Sequence, residues 1–133
     1  MAKKSLTFSG APWESKVGYC RAVRVGAHIA VSGSAPVDDN GELVGECDAY
    51  LQAARCIEII ANALQDAGAS LQDVVRTRMF VTDISRWAEF GKAHHEAFGD
   101  LSPATSMVEV SGLIGSGMLI EIEADAIVAD SHA

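Results

Sequence analysis

Three carboxylates on one predicted strand are the clearest candidates for chemistry in this chain. Glu121, Glu123 and Asp125 are spaced two residues apart, so a strand projects their side chains to the same face of its sheet. Three interpretations stay open: a solvated or arginine-paired surface, a general base or water-holding carboxylate, and a divalent-cation site. The cation site has the least support, because no histidine or further aspartate stands at ligand spacing.

Other candidate groups each have a structural interpretation as well. The adjacent His94 and His95 lack the spacing that places two metal ligands on one helix face, so His94 is predicted to be a hydrogen-bonded core histidine. Ser32 and Gly33 end a predicted strand, where exposed backbone N–H groups can bind an anion or a carbonyl oxygen. Cys20 has no local base in the sequence and is predicted to be a buried, unreactive thiol.

Composition and charge argue against several classes of function. The chain has 133 residues, a net charge of −8, and 49% hydrophobic and 21% charged residues. These values predict one globular domain over residues 1–133. The negative charge opposes binding to a phosphate backbone, so no nucleic-acid partner is expected. Dinucleotide-binding, P-loop and G-x-S-x-G motifs are absent from the sequence, which leaves nucleotide-cofactor and serine-hydrolase chemistry without support.

The cysteines and the N-terminus predict a cytoplasmic location. Cys20, Cys47 and Cys56 form no C-x-x-C pair, and an odd number of cysteines is typical of free thiols in a reducing compartment. The N-terminus lacks the apolar segment of a signal peptide. No run approaches the ~18 apolar residues that a membrane helix needs, so no membrane partner is expected.

These groups must be positioned by a small set of strands and helices. Strands are predicted at 5–8, 22–25, 28–33, 74–82, 105–113 and 118–128, helices at 47–67 and from 83 or 85 to 98, and a loop at 9–18. The order β-β-β-α-β-α-β-β lacks regular alternation of strands and helices. It indicates the α+β class, with a mixed sheet and both helices on one face.

Helices on one face leave the other face of the sheet uncovered. Alternate residues of the last strand, from Ile120 to Val128, are apolar and are predicted to face the helices. The other side of that strand has Leu119 and Ile127 together with the three carboxylates. A face that mixes apolar and acidic residues is typical of a subunit interface with polar sites in it. Functional sites are therefore predicted between chains.

Three segments resemble the reactive-intermediate deaminase family, also called the Rid or YjgF family, in order and spacing. They read GYCRAVRVGAHIAVSGSAPVD, QAARCIEIIANALQDAGASLQDVVRTRMFVTDI and PATSMVEVSGL…LIEIEADAIV, and the resemblance extends over residues 6–129. It implies a chorismate-mutase-like α+β fold and a homotrimer with clefts between subunits. It also implies hydrolysis of reactive enamines and imines, such as 2-aminoacrylate, to keto acids and ammonia, without a cofactor or metal.

The resemblance assigns roles to individual positions. Glu121 matches the glutamate that positions the attacking water, and Tyr19 matches a tyrosine of the pocket. Ser32 and Gly33 match the strand-end backbone site. The implied substrate-binding residues are Tyr19, Ser32, Gly33, Trp87, Thr105 and Met107.

The sequence departs from the family pattern at Thr105. Family members bind the substrate carboxylate with an arginine in a P-A-R-S motif, whereas this chain reads Pro103-Ala104-Thr105-Ser106. A guanidinium is planar, permanently charged and suited to bidentate binding, and threonine offers one uncharged hydroxyl. Losing one partner of such a pair costs about 2–5 kcal/mol. The substrate is therefore predicted to differ from that of the family unless another arginine reaches the cleft. Arg21 is the candidate for this role, and the alternative interpretation is that Arg21 is a solvated residue of its strand.

Three functions remain open from the sequence. The first is a hydrolase for a C–N bond of a small molecule, in which Glu121 orients or activates water. The second is a trimer that binds a metabolite without converting it. The third, with less support because of the −8 charge, is RNA cleavage or inhibition of translation.

Overall fold

A six-stranded mixed sheet and two long helices form the molecule, which a computed structural model describes over residues 3–129. The strands are β1 Lys4–Thr7, β2 Ala22–Val25, β3 His28–Ser34, β4 Val74–Val81, β5 Ala104–Glu109 and β6 Ile120–Ile127. The helices are α1 Pro12–Val17, α2 Ala49–Asp66 and α3 Trp87–Phe98. The sheet order is β1-β2-β3-β6-β4-β5, in which β4 and β5 are parallel and the other neighbours antiparallel. The predicted α+β class is confirmed.

The core lies between the sheet and the long helices. Ala53, Ile57, Ile60 and Leu64 of α2 are all buried, as their helical spacing predicts. Asp48 begins this helix by accepting a hydrogen bond from the Leu51 N–H at 2.9 Å. Beyond its end, Gly68 adopts a φ of +85°, a backbone conformation that glycine favours at the end of a helix. No helix among residues 3–129 is long and apolar enough to span a membrane.

Most predicted boundaries differ from the structure by one to four residues, and two differences, one of which changes the type of element, have a clear physical cause. The predicted loop at 9–18 contains α1, which begins at Pro12 and is followed by Gly18 with φ +92°. Proline at the first helical position and glycine after the last are a helix signal, and the short helix between them lacks a sequence repeat. The predicted strand at 105–113 ends at Glu109 because its partner β4 ends at the paired Val81.

The two faces of the sheet differ in chemistry. On β6, residues 120, 122, 124 and 126 are buried under the helices, while residues 121, 123 and 125 are half-buried on the other face. The uncovered face also exposes Val108 and Ile127, each at 46%. This arrangement matches the predicted division of β6 into an apolar and a mixed side.

One buried glutamine fixes the start of β6. The Gln52 side chain is fully buried and donates to the carbonyl oxygens of Gly45 and Gly117, both at 3.0 Å. Its own oxygen accepts from the Leu119 N–H at 2.7 Å. Helix α2 thereby holds the segment that leads directly into the carboxylate row of β6.

We expect Gln52→Ala to destabilise the protein by about 3 kcal/mol, because it leaves buried backbone groups of two loops without partners. Urea denaturation at a fixed protein concentration measures the loss. Gln65→Ala, at an exposed position of the same helix, is the control and should change the free energy of unfolding by less than about 0.5 kcal/mol. Equal effects of the two changes would contradict the role given to Gln52.

Candidate functional site

The site is built around an irregularity between β3 and β6. Val31 pairs with Ala124 and Ser34 with Ile122, so Ser32 and Gly33 together lie opposite one residue of β6. This is a β-bulge, which re-aims side chains and is frequent beside active sites. The bulge brings Gly33 under the side chain of Glu121.

Gly33 leaves space that Glu121 occupies. A Cβ atom built on Gly33 would lie 2.5 Å from Oε2 of Glu121 and 2.8 Å from its carboxyl carbon. Glu121 is half-buried, and this burial raises the pKa of its carboxyl group. The neighbouring Glu123 also raises that pKa, whereas the guanidinium of Arg21 lowers it. A carboxyl with a raised pKa is suited to proton exchange nearer neutral pH.

Arg21 reaches the same glycine from the other side. Its Nη2 donates to the carbonyl oxygen of Gly33 at 2.6 Å. The guanidinium carbon lies 5.9 Å from the centre of the Tyr19 ring, within cation–π range. The Ser32 hydroxyl donates to the Cys20 carbonyl at 2.7 Å, and the Ser32 N–H, predicted to be exposed, donates to the Arg21 carbonyl at 3.0 Å, so both bonds hold β3 to the segment before β2. The structure thus brings Tyr19, Ser32, Gly33 and Glu121 together around Arg21.

The other two carboxylates of the row have a partner. Nη1 of Arg78 lies 3.3 Å from Oε1 of Glu123 and 3.1 Å from Oδ2 of Asp125. The arginine-paired interpretation therefore holds for these two residues, and Glu121 is outside this ion-pair network. Within residues 3–129, no three histidine, cysteine, aspartate or glutamate side chains group as they would around a metal ion.

Thr105 lies at a different place, on the helix side of the sheet edge. Its hydroxyl accepts from Thr77 Oγ1 at 2.7 Å, and that oxygen lies 2.8 Å from Nε2 of His94. Burial lowers the pKa of His94, so its ring is neutral at neutral pH. His94 is thus hydrogen-bonded, as predicted, and half-buried. It lines, with Thr105, a shallow cleft of about 270 Å³ between α3 and the start of β5.

Two further predicted residues also lie away from Glu121. Met107 is two residues from Thr105 on the same side of β5 and packs against the core. Trp87 begins α3 and is 62% exposed. Thr105 pairs with Thr77 of β4, and Thr77 pairs on its other side with Ala124 of β6. Ala124 is three residues along β6 from Glu121. The Cα atoms of Thr105 and Glu121 are therefore roughly 14 Å apart, and the two side chains are on opposite faces of the sheet.

The predicted site residues therefore form two separate groups in one chain. Four of them meet at the bulge, and Trp87, Thr105 and Met107 lie elsewhere. A small ligand cannot touch both groups of the same chain, so a site that uses both needs two chains. Sequence reasoning included an arginine-paired surface among its interpretations but did not identify Arg78 as the partner, because that requires knowing that β4 lies beside β6.

Comparison with known proteins gives a consistent result. The sequence profile of the family described as Endoribonuclease L-PSP matches residues 10–128. A RutC family protein of Pyrococcus abyssi is 40% identical over 128 residues, which are 95% of this chain and 98% of that protein. The 3-aminoacrylate deaminase RutC of Acinetobacter baylyi is 34% identical over 104 residues, which are 78% of this chain and 82% of that protein.

A solved structure agrees with these sequence matches. The crystal structure of Rv2704 from Mycobacterium tuberculosis, described as a member of the highly conserved YjgF/YER057c/UK114 family, superposes with a TM-score of 0.87. The two chains are 48% identical, and the match covers 95% of this chain and 100% of that one.

We expect Gly33→Ala to move the Glu121 carboxyl group without unfolding the chain. The added methyl group meets the mobile end of a side chain, so displacement toward water should return the Glu121 pKa toward its ordinary value. Titration of the Glu121 carboxyl carbon by NMR measures the shift. The control is Gly112→Ala, where a Cβ meets nothing within 4 Å. An unchanged Glu121 titration in Gly33→Ala would contradict the close approach of the two residues.

Proposed function

Because the chain belongs to the endoribonuclease L-PSP family, also called the Rid or YjgF family, we propose that it hydrolyses a C–N bond of a small enamine or imine. The supporting observation is the environment of the Glu121 carboxyl group. Its carboxyl group is half-buried over Gly33 and has a raised pKa, and it is separate from the ion pairs that hold Glu123 and Asp125. The relative described as a 3-aminoacrylate deaminase supports the same class of reaction.

The proposed chemistry needs one group that exchanges protons. Protonated Glu121 gives a proton to the carbon of an enamine and converts it to the iminium ion. Ionised Glu121 then takes a proton from water as the oxygen attacks the iminium carbon, which gives a carbinolamine. Glu121 returns that proton to the nitrogen, and the C–N bond breaks to release ammonia while the carbinolamine hydroxyl gives its proton to Glu121 and the carbonyl forms. Water is consumed, ammonia and a carbonyl compound are released, and Glu121 is unchanged.

We place this reaction in clefts between the subunits of a homotrimer. The separation of Glu121 from Thr105, Met107 and Trp87 supports this, because a second chain can bring one group opposite the other. The uncovered sheet face supports it too, since Val108 and Ile127 expose apolar surface beside the carboxylate row.

A cytoplasmic location is proposed on the basis of the three free thiols.

Thr105 supports a substrate that differs from those of arginine-bearing relatives. Its hydroxyl is neutral and already accepts a hydrogen bond from Thr77. A cleft wall of this kind suits a neutral polar group of the ligand better than a carboxylate. The same observation favours a second candidate function, a trimer that binds a metabolite without converting it.

Cleavage of RNA is the weaker alternative. The family description names an endoribonuclease, but the net charge of −8 opposes contact with a phosphate backbone. Binding to RNA that weakens steeply as salt is raised would favour this alternative over both small-molecule functions.

We expect Glu121→Gln to lower turnover by about 100-fold or more, the usual contribution of a general acid–base group. Imines generated in place by an amino-acid oxidase serve as substrates, and keto-acid release above the buffer rate is the readout. Glu123→Gln is the control, because this residue shares the strand face but pairs with Arg78; it should retain most of the turnover. Equal rates for wild type and Glu121→Gln would overturn the role of Glu121. A wild type that binds substrate but never converts it would favour the binding trimer.

We expect sedimentation equilibrium to give a mass near three times the 14.0 kDa of one chain. Val108→Asp should dissociate the assembly, because it places a charge on the uncovered face, where burial in an interface is costly. Leu51→Asp is the control: it changes an equally exposed residue, at 46%, on the helix side, and should keep the mass. A single species of 14.0 kDa for the wild type would remove the inter-subunit site.

A further inference from the structure

Arg21 has an unusual environment for a cation. The residue is half-buried, and its Nε is buried without a hydrogen-bond partner among the described residues. No carboxylate oxygen of residues 3–129 lies within 4.0 Å of its guanidinium, whereas Arg55, Arg78 and Arg86 each have such a partner. Removing a cation from water without an opposing charge is unfavourable. An anion from outside the chain would supply the missing charge.

The guanidinium is also held in place in the absence of such an anion. Nη2 is fixed by the Gly33 carbonyl at 2.6 Å, and the Tyr19 ring lies beside the guanidinium carbon. The hydrogen bond to Gly33 uses one N–H of Nη2. The second N–H of Nη2 and the N–H groups of Nη1 have no partner in the described part of the chain. These groups form the fork that binds both oxygens of a carboxylate.

The position of this fork relative to Glu121 limits the ligand. Arg21 bonds to the Gly33 carbonyl, while the Glu121 carboxyl group lies against the Cα of the same glycine. Because both side chains contact the same glycine, a ligand whose carboxylate binds Arg21 can place its reacting carbon beside Glu121 only if few atoms separate the carboxylate from that carbon. A bulky anion, or one with several charges, would meet the negative charges of Glu121 and Glu123.

We propose that Arg21 binds the carboxylate of a small monocarboxylate ligand beside Glu121, so that the anionic group is recognised next to the bulge of β3 and the neutral end is directed toward Thr105 of the partner subunit. This inference rests on the proposed function and specifies its substrate class as imines and enamines that have a carboxylate close to the C–N bond. Thr105 then limits which groups fit around the reacting carbon of the substrate. Threonine in place of the family's arginine removes a positive charge at position 105, but Arg21 still recognises the carboxylate.

The experiment measures binding separately from turnover. Pyruvate, a keto acid of the product class, and its neutral analogue pyruvamide are titrated by NMR into Glu121→Gln protein, with Arg21 either kept or changed to glutamine. We expect Arg21→Gln to weaken pyruvate binding at least 30-fold and to leave pyruvamide binding unchanged. Arg24→Gln is the control, because Arg24 lies three residues from Arg21 but bonds to the end of α2, and it should leave both affinities unchanged.

The outcomes separate this inference from the proposed function. Pyruvate binding that is unaffected by Arg21→Gln overturns the inference, as does an equal loss for pyruvate and pyruvamide, which would indicate a structural role for Arg21. Wild-type turnover that persists in Arg21→Gln with an unchanged KM also overturns it and leaves hydrolysis by Glu121 in place. Arginine-dependent pyruvate binding by a wild type without turnover supports the inference while the proposed hydrolysis fails.

Discussion

The close approach of the Glu121 carboxyl group to Gly33 is the constraint on which the candidate site depends. It requires a residue without a Cβ at that point of β3, because an added Cβ would lie 2.5 Å from Oε2. It also requires the bulge that places Ser32 and Gly33 opposite one residue of β6. The start of β6 is in turn held by Gln52 of α2. A helix on one face of the sheet thus determines where a carboxylate lies on the other face.

Local patterns predicted most of the fold, and long-range pairing explains what they missed. The alternation along β6 and the helical spacing of Ile57, Ile60 and Leu64 are repeated signals, so the buried residues follow directly from them. Helix α1 has only six residues and depends on Pro12 and Gly18, which also occur in loops. The end of β5 depends on where β4 ends, and no pattern within β5 contains that information.

Prediction of the candidate site from the sequence depended even more on long-range strand pairing. Resemblance to a family identified Glu121, Tyr19 and Gly33, and the structure groups them. The position of Arg21 could not be derived, because it depends on the pairing of β2 with β3 and on the bulge between β3 and β6. The placement of Thr105 and Glu121 on opposite faces could not be derived either, since this requires the register of β5 with β4 and of β4 with β6. Family membership, in contrast, was predicted correctly from the order and spacing of motifs.

The distance between Arg21 and Glu121 is consistent with a binding site more than with a structural ion pair. Two opposite charges in direct contact would satisfy each other and leave little capacity for a ligand. Here the guanidinium lowers the pKa of Glu121, yet no carboxylate of the described chain lies within 4.0 Å of it. Arg78, on the same sheet, shows the opposite arrangement, because it contacts both Glu123 and Asp125. The chain thus pairs two carboxylates of the row with one arginine and leaves the third beside a cation that is free to bind an anion.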